Sequence, residues 1–108
     1  MTAPRDHAFR ERQSLALNSA VAARLRITPD AVIGRAKATL ARWKSIPGVW
    51  CVDLEMWEKV LDAGDPLEIH RLLTGGDEMS IRLRQSSPFS VQLDSRERVR
   101  ILHESSAT

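Results

Sequence analysis

Three histidines, one cysteine and fourteen carboxylates are the side chains of this chain that could carry acid–base, nucleophilic or metal chemistry. Their spacing assembles none of it. His7, His70 and His103 stand far apart in the sequence and have no second ligand at the short spacings of a zinc site. Cys51 could act as a nucleophile beside a histidine, but nothing in the residue order brings one to it, and we expect a small core residue there. Nucleotidyl transfer needs closely spaced carboxylates that hold metal ions against triphosphate oxygens. Asp77 and Glu78 are adjacent, so they point in different directions at a helix start, and Asp77 reads as a helix cap. Gly75-Gly76 follows a helical segment instead of joining a strand to a helix, which is the wrong context for a phosphate loop. The expectation is a protein with no catalytic site, no metal and no cofactor.

Binding is then the chemistry to look for, and charge is unevenly spread along the chain. The first 47 residues hold nine Arg and Lys against Asp6, Glu11 and Asp30. Residues 48–70 reverse the sign, with Asp53, Glu55, Glu58, Asp62, Asp65 and Glu68 against Lys59. Clustered cations can neutralise phosphates, which makes DNA or RNA binding one reading of the basic half. Arg35, Lys37, Arg42 and Lys44 scatter around their helix, however, and no recognition helix stands out. An acidic helix could enter the positive cleft of a nucleotide-handling enzyme as a phosphate mimic, with Glu55 and Glu58 at its centre, or it could simply keep the helix soluble. Trp43 and Trp57 fall in register with apolar stripes and belong to the core. Trp50, in the connection beside Pro47 and Gly48, could close the core or anchor a partner.

The elements that must position these residues are helical. Leu17, Val21 and Leu25 repeat at four-residue spacing and predict a first helix over about 6–26. Thr28-Pro29 reads as an N-cap and first helical residue, opening a second helix to about Ser45 that buries Ile33, Ala36, Leu40 and Trp43. Pro47-Gly48 breaks the chain. Asp53 is the expected cap of a third helix with Leu54, Trp57, Val60 and Leu61 inward and Gly64 at its left-handed end. Asp65-Pro66-Leu67-Glu68 has capping-box order and predicts a fourth helix to Thr74. Asp77 caps a fifth, with Met79, Ile81 and Leu83, and Asp94 with Glu97 caps a last helix to about Glu104.

These signals predict an all-α fold, a single compact domain over 1–108 of about five to six short helices, with flexible ends near 1–8 and 104–108. An apolar share of 43% and a charged share of 28% are ordinary for a soluble globular chain. A domain of this length buries roughly 65% of its unfolded surface, enough to fold alone. A lone cysteine makes no internal bridge, and no run reaches membrane-spanning length. The expected location is the cytoplasm of a bacterium, without membrane contact.

Two stretches carry a resemblance. Arg12 to Arg26, RQSLALNSAVAARLR, and Arg82 to Phe89, RLRQSSPF, followed by Leu93 and by Arg96 to Arg98, are similar to the small helical antitoxins encoded beside AbiEii-like (MenT-like) nucleotidyltransferase toxins. Asn18 and Val99 depart from the larger or aromatic residues expected in such relatives. The resemblance implies a type II module in which the antitoxin binds a co-encoded toxin, occludes its active cleft and stops it adding nucleotides to tRNA. Within the second stretch, Arg82, Arg84, Gln85, Ser86, Ser87, Pro88 and Phe89 are the first candidates for the contact, the arginines through bidentate pairs and Phe89 in a pocket. Equally, Gln85, Ser86 and Ser87 could end one helix while Pro88 and Phe89 turn the chain into the core. The runner-up function is a small DNA-binding transcriptional regulator, with operator DNA as its partner.

Overall fold

A computed structural model describes the backbone of residues 3–106 and the side chains of residues 7–105. Among the described residues there are six α-helices and no strand: α1 (Ala3–Leu25), α2 (Pro29–Lys44), α3 (Val52–Ala63), α4 (Pro66–Thr74), α5 (Glu78–Arg84) and α6 (Ser95–Ser106), with a 3₁₀ turn at Ser90–Gln92. The all-α reading holds. Helix α1 is the axis of the fold: α2, α4, α5, α6 and the 3₁₀ turn all pack on it, while α3 packs on α2 and α4. No described helix is long and apolar enough to cross a membrane. The expectation of flexible ends falls partly outside the described residues; within them, α1 starts earlier and α6 ends later than the sequence pattern gives.

The helix boundaries follow from local chemistry, with three corrections. Thr28 occupies the N-cap position of α2, yet its hydroxyl donates back to the Arg24 carbonyl of α1 and caps nothing. Helix α3 starts two residues earlier than expected, with Cys51 at the cap position, so Asp53 lies inside the first turn. At the start of α4 the Asp65 carboxylate accepts from the Leu67 N–H, but Glu68 does not complete a capping box; it pairs with Arg71 instead. Two other caps form as read. Asp77 accepts from the Ser80 N–H, and Asp94 and Glu97 form a reciprocal box, each carboxylate accepting the other residue's N–H at 2.8 and 3.2 Å. Gly64 closes α3 with φ +66°, a left-handed conformation that costs glycine nothing.

The core is one cluster in which Leu17, Val21 and Leu25 of α1 meet Val32, Ala36 and Leu40 of α2, Leu54, Trp57 and Leu61 of α3, and Ile69, Leu72 and Leu73 of α4. Each of the buried Leu, Ile and Val side chains contributes about 1.5–3 kcal/mol of transfer free energy. Trp57 sits at the centre with no exposed surface. Its indole N–H donates to the Leu83 carbonyl at 2.8 Å, which satisfies the polar edge of the ring; the same carbonyl also accepts the Ser86 N–H at 3.2 Å. Trp43 and Trp50 pack against the cluster from its edge. Cys51 is exposed, contrary to the core position expected for it; it holds the N-cap position of α3, three residues before the first buried residue of that helix, Leu54.

Candidate partner-binding surface

The stretch Arg82–Phe89 is where the fold departs most from a surface motif. Helix α5 buries Ser80, Leu83 and Arg84, a helical register that continues into Ser87, whereas Met79 is exposed and Ile81 only half-buried. Pro88 and Phe89 follow inward, and the Phe89 ring meets Trp57 edge-on with centroids 5.5 Å apart. These burials take Ser87, Pro88 and Phe89 off the protein surface and turn the Arg84 guanidinium inward, so the pairing and pocket-filling roles considered for Arg84 and Phe89 in a partner contact are corrected accordingly. Gln85 stays exposed and Ser86 half-buried. Arg82 is exposed as well, but its guanidinium already faces Asp53 of α3 at 2.8 Å, tying the two helices together.

What the stretch does instead is join α1. Ser87 donates its hydroxyl proton to the Asn18 carbonyl oxygen at 2.6 Å and accepts the Phe89 N–H at 3.0 Å. Asn18 in turn donates to the Ser14 carbonyl at 2.8 Å, and the Ser14 hydroxyl donates to the Arg84 carbonyl at 3.3 Å. The two sequence blocks are thus one buried, hydrogen-bonded unit. Sequence reasoning missed Asn18 and Ser14, although a polar residue directly beside Leu17 in the apolar stripe is itself the signal, since a buried amide must find partners.

Arg84 also belongs to the inside. Its Nη1 donates to the Leu72 carbonyl at 3.0 Å and the Gly75 carbonyl at 2.6 Å, placing a cation at the C-terminal end of α4, where open carbonyls concentrate negative potential. Burial holds the guanidinium pKa below its ordinary value, with Asp77 and Glu11 opposing the shift from a distance. Beside it lies an open cleft of about 360 Å³ between α1 and the end of α5.

The remaining candidates gather at the corner between α2 and α3. The Lys44 ammonium lies 5.0 Å over the Trp50 ring and is held by both oxygens of Glu58 at 3.1 and 3.3 Å. Trp50 is half-buried on the core, so its inner edge closes the core while its outer edge remains in the corner. Glu55, one turn before Glu58, is exposed and makes no ion pair among the described residues. Around them Ile46, Val49 and Val52 are exposed, the last at 61%. This corner thus exposes three large apolar side chains within seven residues, with the Glu55 carboxylate, unpaired among the described residues, one turn after Val52.

Among the described residues no group of three or more His, Cys, Asp or Glu side chains could hold a metal ion. His7 pairs with Glu11 at 2.8 Å on α1, and His70 borders a separate groove with Pro29, Pro66 and Leu67. No family model matches the chain, and neither a curated protein nor a solved structure is similar to it.

Proposed function

We propose that this protein is an antitoxin that inhibits a co-encoded nucleotidyltransferase by direct contact, presenting the α2–α3 corner to the enzyme's cleft. The observation that carries the reading is the composition of that corner: Ile46, Val49 and Val52 exposed beside Glu55, with Trp50 and Glu58 locked behind them by Lys44. A cleft that binds nucleotides and tRNA is positive, so a carboxylate rim speeds encounter and repels nothing on arrival, while the apolar centre supplies the area that slows dissociation. Two stretches that resemble the antitoxins pack together as one unit, which supports a resemblance of the whole fold over two coincidental matches.

The test is co-expression with the adjacent nucleotidyltransferase reading frame, followed by copurification and a tRNA nucleotide-addition assay. The expected result is a stable complex, restored growth and abolished transfer. Val52→Asp should break the complex, and Glu55→Lys should slow association at low salt much more than at high salt. No complex and no restored growth would sink the proposal. In that case a salt-sensitive shift of upstream DNA, driven by the exposed Arg35, Lys37 and Arg42 of α2, would move the assignment to the regulator reading.

A further inference from the structure

We infer that the cleft between α1 and the end of α5 is a binding site for a phosphate-class oxyanion, with the buried guanidinium of Arg84 at its floor. Only 5% of Arg84 is exposed, and among the described residues it makes no ion pair with any carboxylate. Its hydrogen bonds to described residues all run through Nη1, to two carbonyls, which leaves Nε and Nη2 without a partner there. A largely buried guanidinium with no carboxylate in contact, Asp77 and Glu11 acting on it only from a distance, is costly, and its planar fork is shaped to take two oxygens of one anion. Arg84 lines the cleft of about 360 Å³, so the anion would meet it from that side.

The other walls favour phosphate over a carboxylate. Arg10 stands on the rim, exposed and without an ion pair among the described residues, and Gln13, Gln85 and Ser90 add donors from α1 and from the segment after α5. His7 lines the same space, with Glu11 2.8 Å from its ring offsetting any charge it carries. The two oxygens of a carboxylate would be satisfied by one guanidinium fork. Donors converging from two elements and a second arginine fit a tetrahedral anion with further oxygens to bind. The site uses no residue of the α2–α3 corner, so it stands or falls independently of the antitoxin reading.

Titration calorimetry of the full chain with inorganic phosphate and with pyrophosphate, against acetate at equal ionic strength, tests the site. The Arg84 Nε resonance, followed by NMR, reports where binding occurs. Saturable phosphate or pyrophosphate binding that moves this resonance is expected, with Arg10→Gln weakening it about tenfold through loss of one charge-assisted contact. Arg10 is exposed and outside the core, so the variant keeps its fold, and an unchanged circular dichroism spectrum verifies it. Absence of saturable binding, an unmoved Arg84 resonance, an unaltered affinity in Arg10→Gln, or acetate binding as tightly as phosphate would each overturn the assignment.

Discussion

Replacing Ser87 by alanine tests whether the most distinctive run of this sequence is a structural latch. The hydroxyl serves two buried groups, donating to the Asn18 carbonyl oxygen at 2.6 Å and accepting the Phe89 N–H at 3.0 Å. Without it, an amide oxygen on a residue 1% exposed and a backbone N–H on a residue with no exposed surface both lose their partner. Each orphaned group costs about 1–3 kcal/mol, so Ser87→Ala should lose roughly 2–6 kcal/mol with no large cavity contributing. Against a total stability of about 5–15 kcal/mol this is a large fraction, and at about 4 °C per kcal/mol it lowers Tm by roughly 8–24 °C. Asn18→Ala should cost a similar amount, because the Ser87 hydroxyl then loses its acceptor and the amide leaves a void.

The decisive quantity is the coupling. Both variants destroy the same 2.6 Å bond, so the double variant should fall short of additivity by about 1–2 kcal/mol. Urea unfolding of the four proteins, with a common slope, gives that number directly. A loss below about 0.5 kcal/mol for Ser87→Ala, or additivity within the roughly 0.5 kcal/mol typical of distant sites, would refute the latch. If the proposed nucleotidyltransferase partner binds, the latch reading also requires that folded Ser87→Ala bind it as tightly as the parent. A loss of affinity at a temperature where the variant is fully folded would return Ser87 to the contact surface.

Gly75→Ala should destabilise far more than Gly76→Ala in thermal melts: an added Cβ at Gly75 would lie 2.6 Å from the Arg71 carbonyl, 2.8 Å from an Asp77 oxygen and 2.9 Å from the Ser80 hydroxyl, whereas at Gly76 it meets nothing. Equal melting points would contradict the close approach of α4 and α5. Acid should weaken the fold through the same junction, since the Ser80 hydroxyl and N–H hold the Asp77 carboxyl below its ordinary range and the Arg71 guanidinium does the same for Glu68. A depressed folded-state pKa contributes stability that is complete above the ordinary carboxylate value near 4 and is lost as pH falls through the lowered one, so urea midpoints should drop below about pH 4. Asp77→Asn should flatten part of that drop; an identical acid profile would remove Asp77 from its cause.

Much of the fold was legible because its signals are local. The apolar stripe of Leu17, Val21 and Leu25, the left-handed Gly64 and the Asp94–Glu97 box each depend on residues within one or two turns, and each forms as read. Several misreadings involve a competing partner, near or far in the chain. Asp53 reads as a cap until Arg82 of α5 is placed beside it, and Glu68 reads as half of a capping box until Arg71 takes both its oxygens. Arg84 is the clearest case. In sequence it is one of two arginines framing Leu83, equally suited to bind a partner; in the fold the helical register puts Arg82 outside and Arg84 inside, on carbonyls 9 and 12 residues earlier. The register of Ser80, Leu83, Arg84 and Ser87 is visible in the sequence once it is read at helical spacing and not by hydrophobicity alone.

A distinctive residue order need not mark a contact. The sequence RQSSPF is restrictive because four of its six positions meet a different internal demand: a guanidinium closing the end of α4, a hydroxyl matched to Asn18, a proline packed inward and a ring set against Trp57. A surface patch would tolerate substitutions that each of these positions refuses. The separation has a functional consequence. If recognition lies at the α2–α3 corner, Glu55 and Val52 can change with the partner while the latch stays fixed, and specificity varies without loss of fold. Glu55→Lys and Ser87→Ala should therefore fall on opposite axes, the first changing association with little effect on stability and the second the reverse. Measuring both quantities for both variants separates the two roles. A Glu55→Lys protein that unfolds, or a Ser87→Ala protein that folds well and no longer binds, would reverse the assignment of the two surfaces.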